Sequence, residues 1–243
     1  MGNFDTYATL AIIVLAGLIH ASFQASVSTL TLMSGHALGR KSAHSRLLKL
    51  IGGFTFGVGS VTLLLLSTLS FFLLRLLPQG TPLLIWAMVS GAVVGVGIAV
   101  WLFYYREQRG TSLWLPRSFA AYLSGRSKAT KQSAEAFGLG AVSVFSELLF
   151  IFAPLLVTAL VLIRLPAELQ LIGVLIYTLL SLLPLLIIGA LIGGGHTLAR
   201  IQRWRESNKR FLQFAAGGAL LALGLFVYVE RVIVTSVALS GVQ

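Results

Sequence analysis

Apolar residues fill six long stretches of the chain, at roughly 7 to 33, 51 to 77, 82 to 105, 136 to 163, 168 to 193 and 212 to 235, separated by polar connections. Runs of that length predict helices that cross a bilayer at about 20 residues per crossing; strand alternation and the one-sided stripe of a soluble helix would look different. The expected fold class is all-α. The expected architecture is a polytopic membrane protein with six transmembrane helices, one integral membrane domain spanning 1-243.

Polar residues interrupt this pattern most heavily in the first stretch, which reads GLIHASFQASVSTLTLMSGHALGR over 17–40. Hydrocarbon offers no partner for an imidazole, an amide or a hydroxyl, so each needs a protein group or water there. On a helical wheel His20, Gln24, Thr31 and Ser34 share one side, while Ser22, Ser26 and Thr29 share the other. Either neighbours enclose this helix all round, or it breaks near residues 26 to 36 and its unwound backbone lines a cavity. Gly35 is a candidate hinge for such a break, and Pro184, inside the fifth stretch, is a second.

Composition agrees with the pattern. With 57% hydrophobic residues, 10% charged residues and a mean hydropathy of +0.92, a water-soluble globule is excluded. A net charge of +11 would point to nucleic acid in a soluble chain. Here the basic residues follow the spans instead. Arg40, Lys41, Arg46 and Lys49 fall in the first connection, six more from Arg106 to Lys131 in the third, and five from Arg200 to Arg210 in the fifth. That distribution predicts cytoplasmic odd-numbered connections in the inner or plasma membrane, with both termini outside the cytoplasm and anionic lipid headgroups as partners. No nucleic-acid partner is expected. The N-terminus lacks the basic start of a secretory signal, so the first span is expected to be retained.

Three spans precede the basic central loop at about 106–135 and three follow, so half-repeats of about 1-105 and 136-243 would cross the membrane in opposite senses. That is the layout of a 3+3 inverted repeat, as in secondary transporters. Gly53 with Gly57, and Gly91 with Gly95, have the four-residue spacing that lets apolar helices approach closely.

Glu147 is the acid deepest inside a span, about 15 Å from a start near Phe137. An intramembrane carboxylate is a functional residue by default, and its expected partner is His20. The pair could serve as a proton relay, a cation site or a structural hydrogen bond, with a shared-proton neutral form expected. The candidate substrate or proton site is His20, Gln24, Ser28 and Thr31 from the first span with Ser143, Ser146 and Glu147 from the fourth. No catalytic constellation is found, so no enzyme is expected. His36, His44 and His196 have no ligand spacing, and the chain has no cysteine, so neither a metal nor another cofactor is expected. Trp114, Phe119 and Tyr122 in the central loop suit a segment lying at the membrane surface, with a gating lid as the alternative. Glu230 and Arg231 read as an interfacial ion pair.

GLIHA at 17–21, the 3+3 layout and the ending NKRFLQFAAGGALLALGLFVYV together resemble the LysE-like superfamily of six-span exporters, whose relatives include nickel/cobalt efflux proteins and cytochrome-biogenesis thiol carriers. The second histidine and the aspartate of the metal exporters are missing; Gln24 and Ser26 stand nearby instead, and the thiol carriers' cysteines are absent. The resemblance implies a transporter-like architecture without its substrate. The expected function is a carrier or exporter of a small solute or ion, with protonation of Glu147 coupled to the cycle. A non-transporting scaffold or assembly subunit is the alternative, with a homo-oligomer or a membrane complex as its setting.

Overall fold

The computed structural model describes residues 3–23, 43–103, 117–194, 203–204 and 207–240, and every element in them is a helix. In chain order these are α1 (Asn3–Ser22), α2 (Ala43–Leu76), α3 (Leu83–Phe103), α4 (Arg117–Ala129), α5 (Ser133–Leu162), α6 (Ala167–Ser181), α7 (Leu183–Gly193) and α8 (Lys209–Tyr228). A π-helical turn, Val229–Ile233, and α9 (Val234–Ser240) continue α8.

Segments Ser45–Leu76, Leu83–Leu102, Ser133–Leu162 and Arg210–Val237 are each long and apolar enough to cross a membrane. Helices α6 and α7 qualify as a fifth crossing if the bent pair is one span. These helices suffice for a multi-pass membrane protein. The first expected crossing, 7 to 33, runs past the described end of α1, so Gln24, Ser28, Thr31 and Gly35 lie outside the described residues.

The fifth stretch, expected as one helix, bends by 51° between Ser181 and Leu183. Pro184 explains the position of the break: it has no amide hydrogen for the carbonyl one turn earlier, and its ring crowds that carbonyl. In the central loop, α4 packs on α5 and buries Leu123 while Tyr122 is exposed. Trp114 lies outside the described residues.

Side-chain bonds fix how the helix ends gather. At one end Arg231 donates to the hydroxyl of Thr9 at 2.6 Å and Arg164 to the carbonyl of Thr81 at 2.9 Å. At the opposite end Arg46 donates to the carbonyl of Lys131, Ser133 to that of Lys49, and Gln213 to those of Val100 and Trp101. The start of α1 therefore lies beside the finish of α8, and α1 runs antiparallel to α5.

α5 is the central helix: 67% of its most apolar window is buried, against 28–33% for the other three long helices. Large apolar side chains such as Phe56, Leu64, Phe72, Met88 and Phe152 stay exposed, as a lipid-facing surface requires.

Glycines set the closest contacts. A Cβ on Gly53 would lie 2.6 Å from the carbonyl oxygen of Ser133, one on Gly57 would strike the carbonyl of Phe137, and one on Gly140 that of Phe54. Backbone cannot step aside as a side chain can, so the close approach of α2 and α5 depends on these glycines. On α3 the expectation needs correction. Gly91 and Gly95 face open space, and Gly97 makes the contact with α8, its would-be Cβ 3.0 Å from the carbonyl of Gly217 and 3.1 Å from Cβ of Leu220. Gly217 lies under the indole of Trp101, and Gly224 under Val94 at 2.7 Å.

Candidate functional site

His20 closes the last turn of α1 and is buried. Its Nδ1 is 2.9 Å from the hydroxyl of Tyr177 on α6, with the two rings tilted at 55° and their centroids 5.5 Å apart. The expected partner was Glu147, and the bond found is to Tyr177. The helix directions account for this. Phe23 at the end of α1 stacks on Phe150 of α5, with centroids 5.6 Å apart and rings 9° from parallel. His20 and Glu147 each precede the stacked pair by three residues on antiparallel helices, so they step away from it in opposite directions along the bundle axis.

Glu147 is buried on α5, 1% exposed, as are Ser143 and Ser146. The Ser143 hydroxyl donates to the Gly140 carbonyl at 2.7 Å, and that of Ser146 to the carbonyl of Ser143. Further along α5 Thr158, and on neighbouring α6 Thr178 and Ser181, likewise donate to carbonyls three or four residues back. This is how a hydroxyl avoids an unmet donor in an apolar interior, while its lone pairs remain able to accept.

Sequence reasoning missed Tyr177. A phenol ten residues inside an apolar run is away from the interfacial belt where tyrosines usually sit, and that position was the available signal.

A groove of about 570 Å³ opens between α2 and the α6–α7 bend, lined by Leu48, Thr55, Gly59, Thr178, Leu182 and Gly189 among others. None of the predicted site residues lines it. Pro184 adjoins this groove at the start of α7.

Among known proteins, no family model, no curated protein and no solved structure matches the chain.

Proposed function

We propose that the chain is a six-span carrier or exporter of a small solute or ion, built as a 3+3 inverted repeat in the inner or plasma membrane, with both termini outside the cytoplasm. The observation that carries this reading is a constant register between the halves. Gly17 packs on the carbonyl of Tyr177, and Gly140 on that of Phe54; 140 exceeds 17, and 177 exceeds 54, by the same 123. Adding 123 to 94 and subtracting it from 224 likewise converts the Val94–Gly224 contact into the Gly217–Trp101 contact.

Helix neighbours follow the same rule when spans one, two and three are exchanged with four, five and six. The α1–α6 contact becomes α5–α2, and α1–α8 becomes α5–α3. The α1–α5, α3–α8 and α2–α6 contacts map onto themselves. Two halves of opposite sense related in this way are the ground plan of alternating access, in which one half rocks against the other about a central site.

The register also pairs His20 with Ser143 and Gln24 with Glu147, so each half contributes polar groups at matching positions of its first span. In this reading the substrate or proton site lies between spans one and four, at His20, Gln24, Ser28, Thr31, Ser143, Ser146 and Glu147. Protonation of Glu147 is coupled to the cycle, and Gly35 and Pro184 act as hinges. The LysE-like resemblance supports the same class, and anionic headgroups bind the basic loops.

One observation favours the scaffold reading: Ser143, Ser146 and Thr158 of α5 and Thr178 and Ser181 of α6 donate their hydroxyls to carbonyls of their own helices, as in a bundle that stays packed. Counterflow of candidate solutes in proteoliposomes separates the two. Carrier function predicts that Glu147→Gln folds but loses flux or its pH dependence; unchanged flux at every pH would remove Glu147 from the mechanism.

A further inference from the structure

The groove between α2 and the α6–α7 bend plays no part in the carrier reading. It has a volume of about 570 Å³ and runs along α2 from Leu48 to Leu63. At 1.5 Å of rise per residue, that stretch of helix is about 22 Å long. On the facing wall a Cβ at Gly189 would lie 3.3 Å from Cγ2 of Ile51, and Leu182 lies against Gly59. α7 thus returns toward the start of α2, and Gly193 at its end reaches Leu48. One end of the groove therefore lies where the first and fifth connections, both basic, meet the bundle.

The groove opens on the outside of the bundle, and its rim is apolar: Leu48, Phe56 and Leu186 are all exposed. Hydroxyls are few along it, and that of Thr178 is already donated to the Val174 carbonyl. Water in such a slot would find too few partners, and an empty slot forfeits the contacts of its lining atoms. The material that a bilayer supplies is hydrocarbon. One leaflet's share is about 15 Å deep, so a lipid tail matches the groove in both chemistry and reach.

Lys49 gives that lipid its headgroup. The residue is exposed, and it stands three, seven and eleven positions before Gly52, Phe56 and Ser60, which is the spacing of one helix face. An ammonium at the head of an apolar groove complements the phosphate of a lipid whose tail lies in the groove. Arg46, exposed one turn earlier, adds positive charge at the same end. Gly52 keeps the floor clear: a Cβ there would meet nothing within 4 Å.

We propose that this groove is a binding site for an anionic phospholipid, with one acyl chain lying between α2 and α7 and the phosphate at Lys49. The site stands independently of the carrier reading.

The test is native mass spectrometry of the full chain in non-ionic detergent, titrated with phosphatidylglycerol or with phosphatidylcholine of the same tails. The expected result is one saturable phosphatidylglycerol, retained in preference to phosphatidylcholine. Gly52→Phe fills the groove from a position with free space and should abolish that retention. Gly91→Phe, in open space on α3, should leave it intact. Lys49→Gln should weaken phosphatidylglycerol binding about fivefold, the worth of one lysine at an anionic surface, and Lys131→Gln should not. Equal retention of the two lipids, or phosphatidylglycerol binding that Gly52→Phe leaves unchanged, overturns the proposal. So does a dimer of the parent chain that Gly52→Phe dissolves, since a second copy would then fill the groove. If Gly52→Phe does not fold, Gly52→Val carries the comparison.

Discussion

Gly97 of α3 lies so close under Leu220 of α8 that a Cβ on the glycine would be 3.1 Å from that of the leucine, and Leu220 is the residue 123 positions further on. Gly59 and Leu182 stand in the same relation, Gly59's would-be Cβ lying 2.9 Å from a Leu182 methyl. A residue meets its own counterpart only where a two-fold axis passes between them. In the proposed 3+3 repeat these two contacts would lie on its two-fold axis, the second of them at the α6–α7 bend.

The glycine contacts predict a graded mutational series. Gly140→Leu drives its side chain into the Phe54 carbonyl and is expected to cost more than about 3 kcal/mol or to prevent folding. Gly91→Leu projects into open space and should stay within about 0.5 kcal/mol of the parent. Folded yield and thermal unfolding in detergent measure both; equal effects would contradict the packing described.

Removing the phenol in Tyr177→Phe leaves the buried His20 imidazole without its partner. The expected loss is about 1–3 kcal/mol. A double-mutant cycle with His20→Phe should return a coupling of about 1 kcal/mol, because the second substitution removes a group already orphaned. Additive losses would show that the two rings do not cooperate.

Much of the bundle is readable in the sequence because hydrocarbon imposes one rule, long apolar runs, and α2, α3, α5 and α8 obey it. Which face of a helix meets a neighbour is harder to read. Gly53 with Gly57 and Gly91 with Gly95 have identical spacing, yet the first pair packs and the second faces open space, since spacing gives a common side without saying what lies opposite. Partners between helices are harder still. His20 and Glu147 are both buried as expected, but the antiparallel offset of their helices gives His20 to Tyr177. Arg231, expected as an interfacial ion pair with Glu230, is buried against Trp86 and bonded to Thr9, which only the return of α8 to the start of α1 can bring about.

Replacing Pro184 by alanine restores an amide hydrogen at the break and removes the ring that crowds the preceding turn. The 51° bend between α6 and α7 should relax. Spin labels on cysteines placed at Leu169 and Ile192, in a chain with no native cysteine, should then move apart in pulsed-EPR distance measurements. An unchanged distance would place the cause of the bend in the surrounding helices.

Whether the interior opens is the central question, and it can be asked without knowing the solute. Ser143 is fully buried on α5 beside Glu147, and Ser143→Cys would be the sole thiol of the chain. Oriented vesicles are treated with a membrane-impermeant thiol reagent from each side in turn, with Lys131→Cys, exposed in the connection between α4 and α5, as the control. Alternating access predicts that Cys at 143 is modified slowly from both sides. Modification from neither side, while the control reacts fully from one, would mean a permanently sealed bundle and would contradict the carrier reading.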